Sequence, residues 1–447
     1  MRRRYGIYIG ACMCSAVILG GCGSIDQNSN VQTIPPVVNE TQVQVETGEE
    51  TSTAEEELKE EADIIVDRLG YRQFCRKNVY VLGNDINPVF ELRDEETGKV
   101  VFTGSLRLVD DKDYDGKRLY LGDFSDYKLK GTLRIYQEDI GCSHLFSITP
   151  DRYKNEYKDI YEAIEAVEYS DLSDWLYVLE NMLLAKDMYE DTYLDANYIE
   201  SSLKNIMEYQ DAETRVIAED ANNIEETGNL SATAQYAGLL AHYNIMFSEE
   251  NPELAKECLD KASKAFAYVE RNRDELPDDT YYYAASELYR ATGQYIYRGA
   301  IERYDSLEEV KTSGEYDYKI SADIAYLKTN YRIDYERCQG IMKEYQHAAE
   351  DISSLIDKNH FHVQKDIEKL TDEQILCNMQ KLGLVSYVVS GYEYAGILEN
   401  YVHYLDGLNE ASIFVITDKE TIDEELEAED AIELSKLLFA IGHLYNS

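Results

Sequence analysis

The chain has 447 residues, with 87 Asp and Glu against 43 Lys and Arg and a formal net charge of −44. Such a field repels phosphate backbones and anionic lipid surfaces, so nucleic acid is excluded as an electrostatic partner. A hydrophobic content of 44% at this length is enough for two domains and a sizeable core.

The N-terminus has the pattern of a targeting segment. Arg2-Arg3-Arg4 form a basic start, and Ile7 to Leu19 form an apolar run too short for a stable membrane span. Leu19-Gly20-Gly21-Cys22 then matches the bacterial lipobox, in which small residues precede a cysteine that receives lipid. Residues 1–21 are therefore expected to be a lipoprotein signal peptide. Cys22 is the expected lipidation site, which would place the mature chain on the extracytoplasmic face of a bacterial cell membrane. Residues 22–63 are rich in Ser, Asn, Gln, Thr, Val and Glu, contain Pro35-Pro36 and lack aromatics. This composition predicts a flexible tether.

From residue 64 to 149 the pattern changes. Short apolar-alternating runs at Val79–Leu82, Val89–Leu92 and Val100–Phe102 are broken by turn residues such as Glu96-Thr97-Gly98-Lys99. That predicts a small antiparallel β-sandwich of immunoglobulin-like type. Residues 150–447 show helical period instead. Leu172, Trp175, Leu176, Leu179 and Leu183 make one stripe, Tyr236, Leu239, Leu240, Tyr243 and Phe247 a second, and Leu434, Leu437, Leu438, Ile441 and Leu444 a third.

Breakers at Gly228-Asn229, Asn251-Pro252, Pro277-Asp278-Asp279, Gly293 and Gly391 separate such stripes. Twelve helices are expected, starting near Tyr153, Leu172, Ala196, Ser231, Pro252, Thr280, Tyr295, Ser321, Tyr335, Asp372, Tyr394 and Glu425. Twelve fit an (α/α)6 barrel of two concentric rings. A helical-repeat superhelix is the alternative, although no fixed repeat period is visible. The fold class is thus multidomain, β followed by all-α. Cys75, Cys142, Cys258, Cys338 and Cys377 are widely spaced without a CxxC pair. Free thiols are expected, with one disulfide as the alternative, and no cysteine metal site.

With these elements in place, the chain resembles glycoside hydrolase family 9, the inverting cellulases that carry an N-terminal immunoglobulin-like domain. The resemblance in the β part lies in FELRDEETGKVVFTGSL, LYLGDFSDY and GTLRIY. In the helical part it lies in LSATAQYAGLLAHYNIMF, NPELAKECLDKASKAFAYVERN, YYYAASELYRATGQYIY and NMQKLGLVSYVVSGYEYAGILENYVHYLDGLN. The family's catalytic base sits in a D-A-G-D motif at the head of the second barrel helix, where this chain has Asp171-Leu172-Ser173-Asp174. The resemblance makes Asp174 the base and Asp171 a second holder of the attacking water. The family's acid lies in N-E-V-A-I, where this chain has Ala428-Glu429-Asp430-Ala431-Ile432, which points to Glu429. Trp175 and Tyr177 are the candidate sugar-stacking residues. The implied partner is a β-glucan. No cofactor is expected, and calcium enters only through the resemblance, because no loop has a recognisable ligand spacing.

Inverting hydrolysis explains these residue types. One carboxylate takes a proton from water while one carboxylic acid protonates the leaving oxygen. Bland alternatives stay open at each position. Asp171 suits an N-cap, and an acidic run at a helix N-terminus suits the helix dipole. The chain also departs from the family pattern. Val167-Glu168-Tyr169-Ser170 replace the glycines and aromatic before D-A-G-D, and Ser412 to Thr417 runs directly into Asp418-Lys419-Glu420-Thr421 without a His-Arg pair. The rival expectation is a catalytically degenerate relative that binds glycan or a protein partner without turnover.

Overall fold

The computed structural model describes residues 63–114, 116–211, 230–273, 279–304, 316–389, 392–412, 414–415 and 426–445. The signal segment, Cys22, the tether before Asp63 and Asp418-Lys419-Glu420-Thr421 lie outside the described residues.

Among the described residues nine strands form the N-terminal part: β1 Ile64–Ile65, β2 Gly70–Tyr71, β3 Asn78–Gly83, β4 Val89–Asp94, β5 Val100–Tyr114, β6 Lys117–Asp123, β7 Gly131–Gln137, β8 Gly141–Cys142 and β9 Phe146–Ile148. Their order is β1-β3-β6-β5-β4-β7-β9-β2, with β8 on β7. The long strand β5 serves both layers, pairing β4 through Ser105↔Val89 and β6 through Leu106↔Gly122. The β4–β5 turn falls where its residues demand. Asp94 Oδ1 accepts from Thr97 N at 2.9 Å, and Gly98 takes φ 64°, a left-handed conformation that glycine adopts without steric cost. Between the layers lie Tyr71, Phe90, Phe124 and Phe146, all buried. Phe90 fits there because Gly104 and Gly122 lack a Cβ, which would stand 2.4 and 2.5 Å from its ring.

Twelve helices follow among the described residues: α1 Arg152–Glu165, α2 Leu172–Met188, α3 Ala196–Ile206, α4 Leu230–Phe247, α5 Pro252–Arg271, α6 Asp279–Thr292, α7 Tyr295–Tyr304, α8 Lys319–Leu327, α9 Tyr335–Ser353, α10 Asp372–Val389, α11 Tyr392–Leu405 and α12 Ala428–Leu444. Each starts within three residues of the position expected from sequence. Side-chain caps explain several starts. Asp195 accepts from Asn197 N at 2.8 Å and Asp334 from Glu336 N at 2.8 Å, while Asn251 precedes Pro252 in the first turn of α5. Each such cap contributes about 1 kcal/mol.

The even-numbered helices form the inner ring. Neighbours α2–α4, α4–α6, α6–α8, α10–α12 and α12–α2 pack directly. They are buried nearly all round, as in the unbroken run Ala232–Tyr243 of α4. The odd-numbered helices are amphipathic and form the outer ring. This is the expected (α/α)6 barrel. Tyr281-Tyr282-Tyr283 pack inside it and are 4% exposed or less. The five cysteines from Cys75 onward are free thiols.

The barrel axis holds a buried ionic network. His242 Nδ1 lies 3.0 Å from Glu180 Oε2, and Tyr283 donates to the same carboxylate. Asp187 meets Arg290 at 2.8 Å and Lys328 at 2.9 Å. Glu287 stands nearby, pushed up to about 7 by burial, which outweighs His242 and Arg290.

The sandwich does not swing on a linker. Tyr80, Leu119 and Leu121 turn the outer face of β3 and β6 into the barrel's own core. Tyr80 lies 4.4 Å from the Phe361 ring, centroid to centroid, and donates to His360 O. Arg72 grips Glu399 of α11 through two bonds of 2.8 and 2.9 Å. Arg152, buried at the start of α1, donates to Gly70 O at 3.0 Å and meets Glu156, Asp406 and Asp67. Burial pushes the carboxyls of Glu156 and Asp406 up, with Arg152 pulling the other way.

Candidate active site

Alternation of inner and outer helices makes the inner six run in one direction, so their N-termini gather at one rim. Asp174 lies in the first turn of α2 and Glu429 in the first turn of α12. These two helices are neighbours, tied by Asn181 Nδ2 donating to Ser435 Oγ at 3.1 Å. Asp174 and Glu429 each stand about two turns above that contact, roughly 10 Å along the axis. They are therefore level on adjacent helices, whose axes at ordinary packing are ~8–10 Å apart.

Asp174 is half-buried and accepts a hydrogen bond from the Tyr316 hydroxyl. Tyr316 sits just before α8 and tilts against the Tyr177 ring at 5.0 Å. Nothing in the spacing of the sequence marks it as a partner of Asp174, because the two meet only through the barrel.

Glu429 is exposed at the head of α12. The acidic run around it divides by role. Glu427 and Asp430 form a capping box, with Glu427 N donating to Asp430 Oδ2 at 3.0 Å. Glu429 takes no part in that box. One turn further, Glu433 is half-buried and pushed up to about 7, by burial first and then by Asp372, Asp430 and Glu429. A carboxyl that keeps its proton near neutrality thus lies directly below Glu429. The i,i+4 spacing of Glu429 and Glu433 was the available signal for it.

Three expectations need correction or narrowing. Asp171 does not turn toward Asp174. It is exposed, and its Oδ1 accepts from Ser173 N at 2.6 Å, so it caps α2. Tyr177 is 2% exposed and donates to Asp317 O at 3.4 Å, wedged between Tyr316 and Tyr318 under Lys436. A sugar platform needs an open ring face, which Tyr177 lacks. Trp175 is half-buried and stacks on Tyr169, rings 6.0 Å apart and 5° from parallel, so one of its faces is covered.

Calcium, which the resemblance allows, takes six to eight oxygen ligands. Among the described residues two groups of three side chains could hold a metal, Cys75-Glu399-His403 and Glu180-His242-Glu287. Each contains a nitrogen or sulfur donor, so neither fits calcium.

Residues 59–141 match the cellulase N-terminal ig-like domain, and residues 147–423 match glycosyl hydrolase family 9. The chain belongs to glycosyl hydrolase family 9. The family 9 match ends before α12, so Glu429 rests on its own motif and on its place beside α2. Three solved structures share the fold. A metagenome-derived family 9 endoglucanase is 12% identical, with 86% of this chain and 99% of that chain covered at a TM-score of 0.68. A Bacteroides ovatus GH9 protein is 14% identical, with 86% and 99% covered at 0.68. A thermostable endoglucanase from Alicyclobacillus acidocaldarius is 14% identical, with 87% and 100% covered at 0.64. No curated protein matches the chain in sequence.

Proposed function

We propose that this family 9 member is a lipid-anchored enzyme on the extracytoplasmic face of a bacterial membrane, hydrolysing β-glucan with inversion. Asp174 takes the proton from water, held in place by the Tyr316 hydroxyl. Glu429 gives its proton to the leaving oxygen. Inversion needs the two carboxyls ~6.5–9.5 Å apart, with the water between them. The observation that carries the proposal is the level placement of Asp174 and Glu429 on adjacent inner helices. Glu433, half-buried one turn below Glu429 and pushed up to about 7 by burial, supports it by placing a carboxyl that is protonated near neutral pH beside the proposed acid. The related endoglucanases support the substrate class. The Leu19-Gly20-Gly21-Cys22 sequence supports the anchor.

The capping role of Asp171 favours a second reading, glycan binding without turnover, because one water-holding group is then missing. One experiment separates the two. The purified protein is incubated with a panel of β-glucans, reducing ends are counted, and the anomer first released is followed by NMR. Release of the α-anomer, lost in Asp174→Asn and Glu429→Gln at unchanged melting temperature, is the expected result. Binding with no new reducing ends would overturn catalysis, and release of the β-anomer would overturn inversion.

A further inference from the structure

Three donor side chains of different chemistry meet at the seam between sandwich and barrel. Cys75 comes from the segment between β2 and β3, and Glu399 and His403 come from one face of α11. All three are buried, and one donor atom of each lies within 4.8 Å of the others. His403 is oriented for a metal. Its Nδ1 is bonded to Asp67 Oδ2 at 2.5 Å, and its Nε2 has no hydrogen-bond partner although the residue is only 3% exposed. A carboxylate fixing one ring nitrogen while the other faces inward is the usual outer-shell arrangement of a metal-binding histidine. Asp67 cannot turn away, because its Oδ1 accepts from Leu69 N at 2.8 Å and Gly70 N at 2.7 Å.

The Cys75 thiol, which donates to Arg72 O at 3.2 Å, would give up its proton to bind an ion. Glu399 Oε2 accepts from Arg72 at 2.9 Å, and a carboxylate oxygen carries two lone pairs. Sulfur, nitrogen and oxygen together suit zinc and disfavour calcium or magnesium.

We propose that Cys75, Glu399 and His403 bind a zinc-class divalent ion that joins the sandwich to the barrel. The ion is structural. It loads as the chain folds, because the site is closed once α11 has docked.

The test uses the full-length protein refolded with Zn2+ or Co2+ and then dialysed. The expected result is one metal per chain, a melting temperature that falls on chelation, and a sulfur-to-cobalt charge-transfer band in the near ultraviolet. Cys75→Ser should abolish that band, His403→Gln should lower metal content, and Cys258→Ser should change neither. Three outcomes would overturn the proposal. Refolded wild type could retain no metal, its cobalt form could lack the sulfur band, or both variants could bind metal as well as wild type. If the variants fail to fold, the wild-type cobalt spectrum decides alone, since a metal at Glu180, His242 and Glu287 would give no sulfur band.

Discussion

Glu433 offers a test in which stability and site chemistry are the same quantity. Its carboxyl has an ordinary value of 4.5 and is pushed up to about 7 in the fold, by burial and then by Asp372, Asp430 and Glu429. The native state therefore holds a proton between these values that the unfolded chain releases. Native stability is full below pH 4.5 and declines as pH rises through about 7. The gap corresponds to roughly 3 kcal/mol for a sealed group. Glu433 is only half-buried, and solvent screening reduces the figure to about 1 kcal/mol. Glu433→Gln keeps the size of the side chain and removes its charge. The variant should match wild type at pH 4.5 and gain about 1 kcal/mol at pH 8. Urea denaturation at the two pH values measures this, with the difference between the two gains as the readout. An equal effect at both pH values, or a loss confined to pH 8, would refute the reasoning. A gain at pH 8 accompanied by lost hydrolysis would show that the site keeps its proton at the expense of the fold.

Other parts of the molecule give separate tests. Burial pushes His443 down to about 4 from 6.5, so the unfolded chain takes the proton first and stability falls as pH drops through that window, by up to roughly 3 kcal/mol; His443→Gln should flatten the acid limb of pH-titrated urea melts, and parallel limbs would refute it. Tyr283→Phe removes the hydroxyl that Glu180 accepts from in the barrel axis and should cost about 1–3 kcal/mol; a loss below about 0.5 kcal/mol would show that the network adjusts without it. Cys22→Ala should abolish incorporation of labelled fatty acid and move the protein from the membrane fraction to the soluble one, and unchanged membrane association would sink the lipoprotein reading.

Much of the architecture was legible because local rules agreed with tertiary packing. The β4–β5 turn at Glu96-Thr97-Gly98 and the outer-helix start at Asn251-Pro252 are set by residues within a few positions of one another. The heads of α2 and α12, where Asp174 and Glu429 stand, were legible through helical period and motif position. What escaped depends on contacts across the barrel. Tyr316 reaches Asp174 from the far side of a long sequence gap, and the crowding around Glu433 needs Asp372 from another helix. Asp171 was ambiguous for a physical reason, since a capping aspartate and a water-holding aspartate occupy the same place before a helix. Tyr177 was misassigned because α2 is buried on nearly every face, so period alone cannot say which side chains look outward. The same burial hid Glu180, His242 and Glu287 within helices that look apolar.

The seam through Arg152, Asp67 and Tyr80 also bears on how this protein can be rearranged. A barrel deprived of its sandwich would show Phe361 to water and strand Arg152, Asp406 and Glu399 among half their partners. A sandwich alone would carry an uncovered Tyr80 and a buried aspartate without its histidine. The chain should therefore melt in one step instead of two. In module-shuffling terms the β part cannot be exchanged for another sandwich by matching linker length, because a replacement must bring its own counterparts of Arg72 and Asp67 to the same outer helices and of Tyr80 to the segment between α9 and α10.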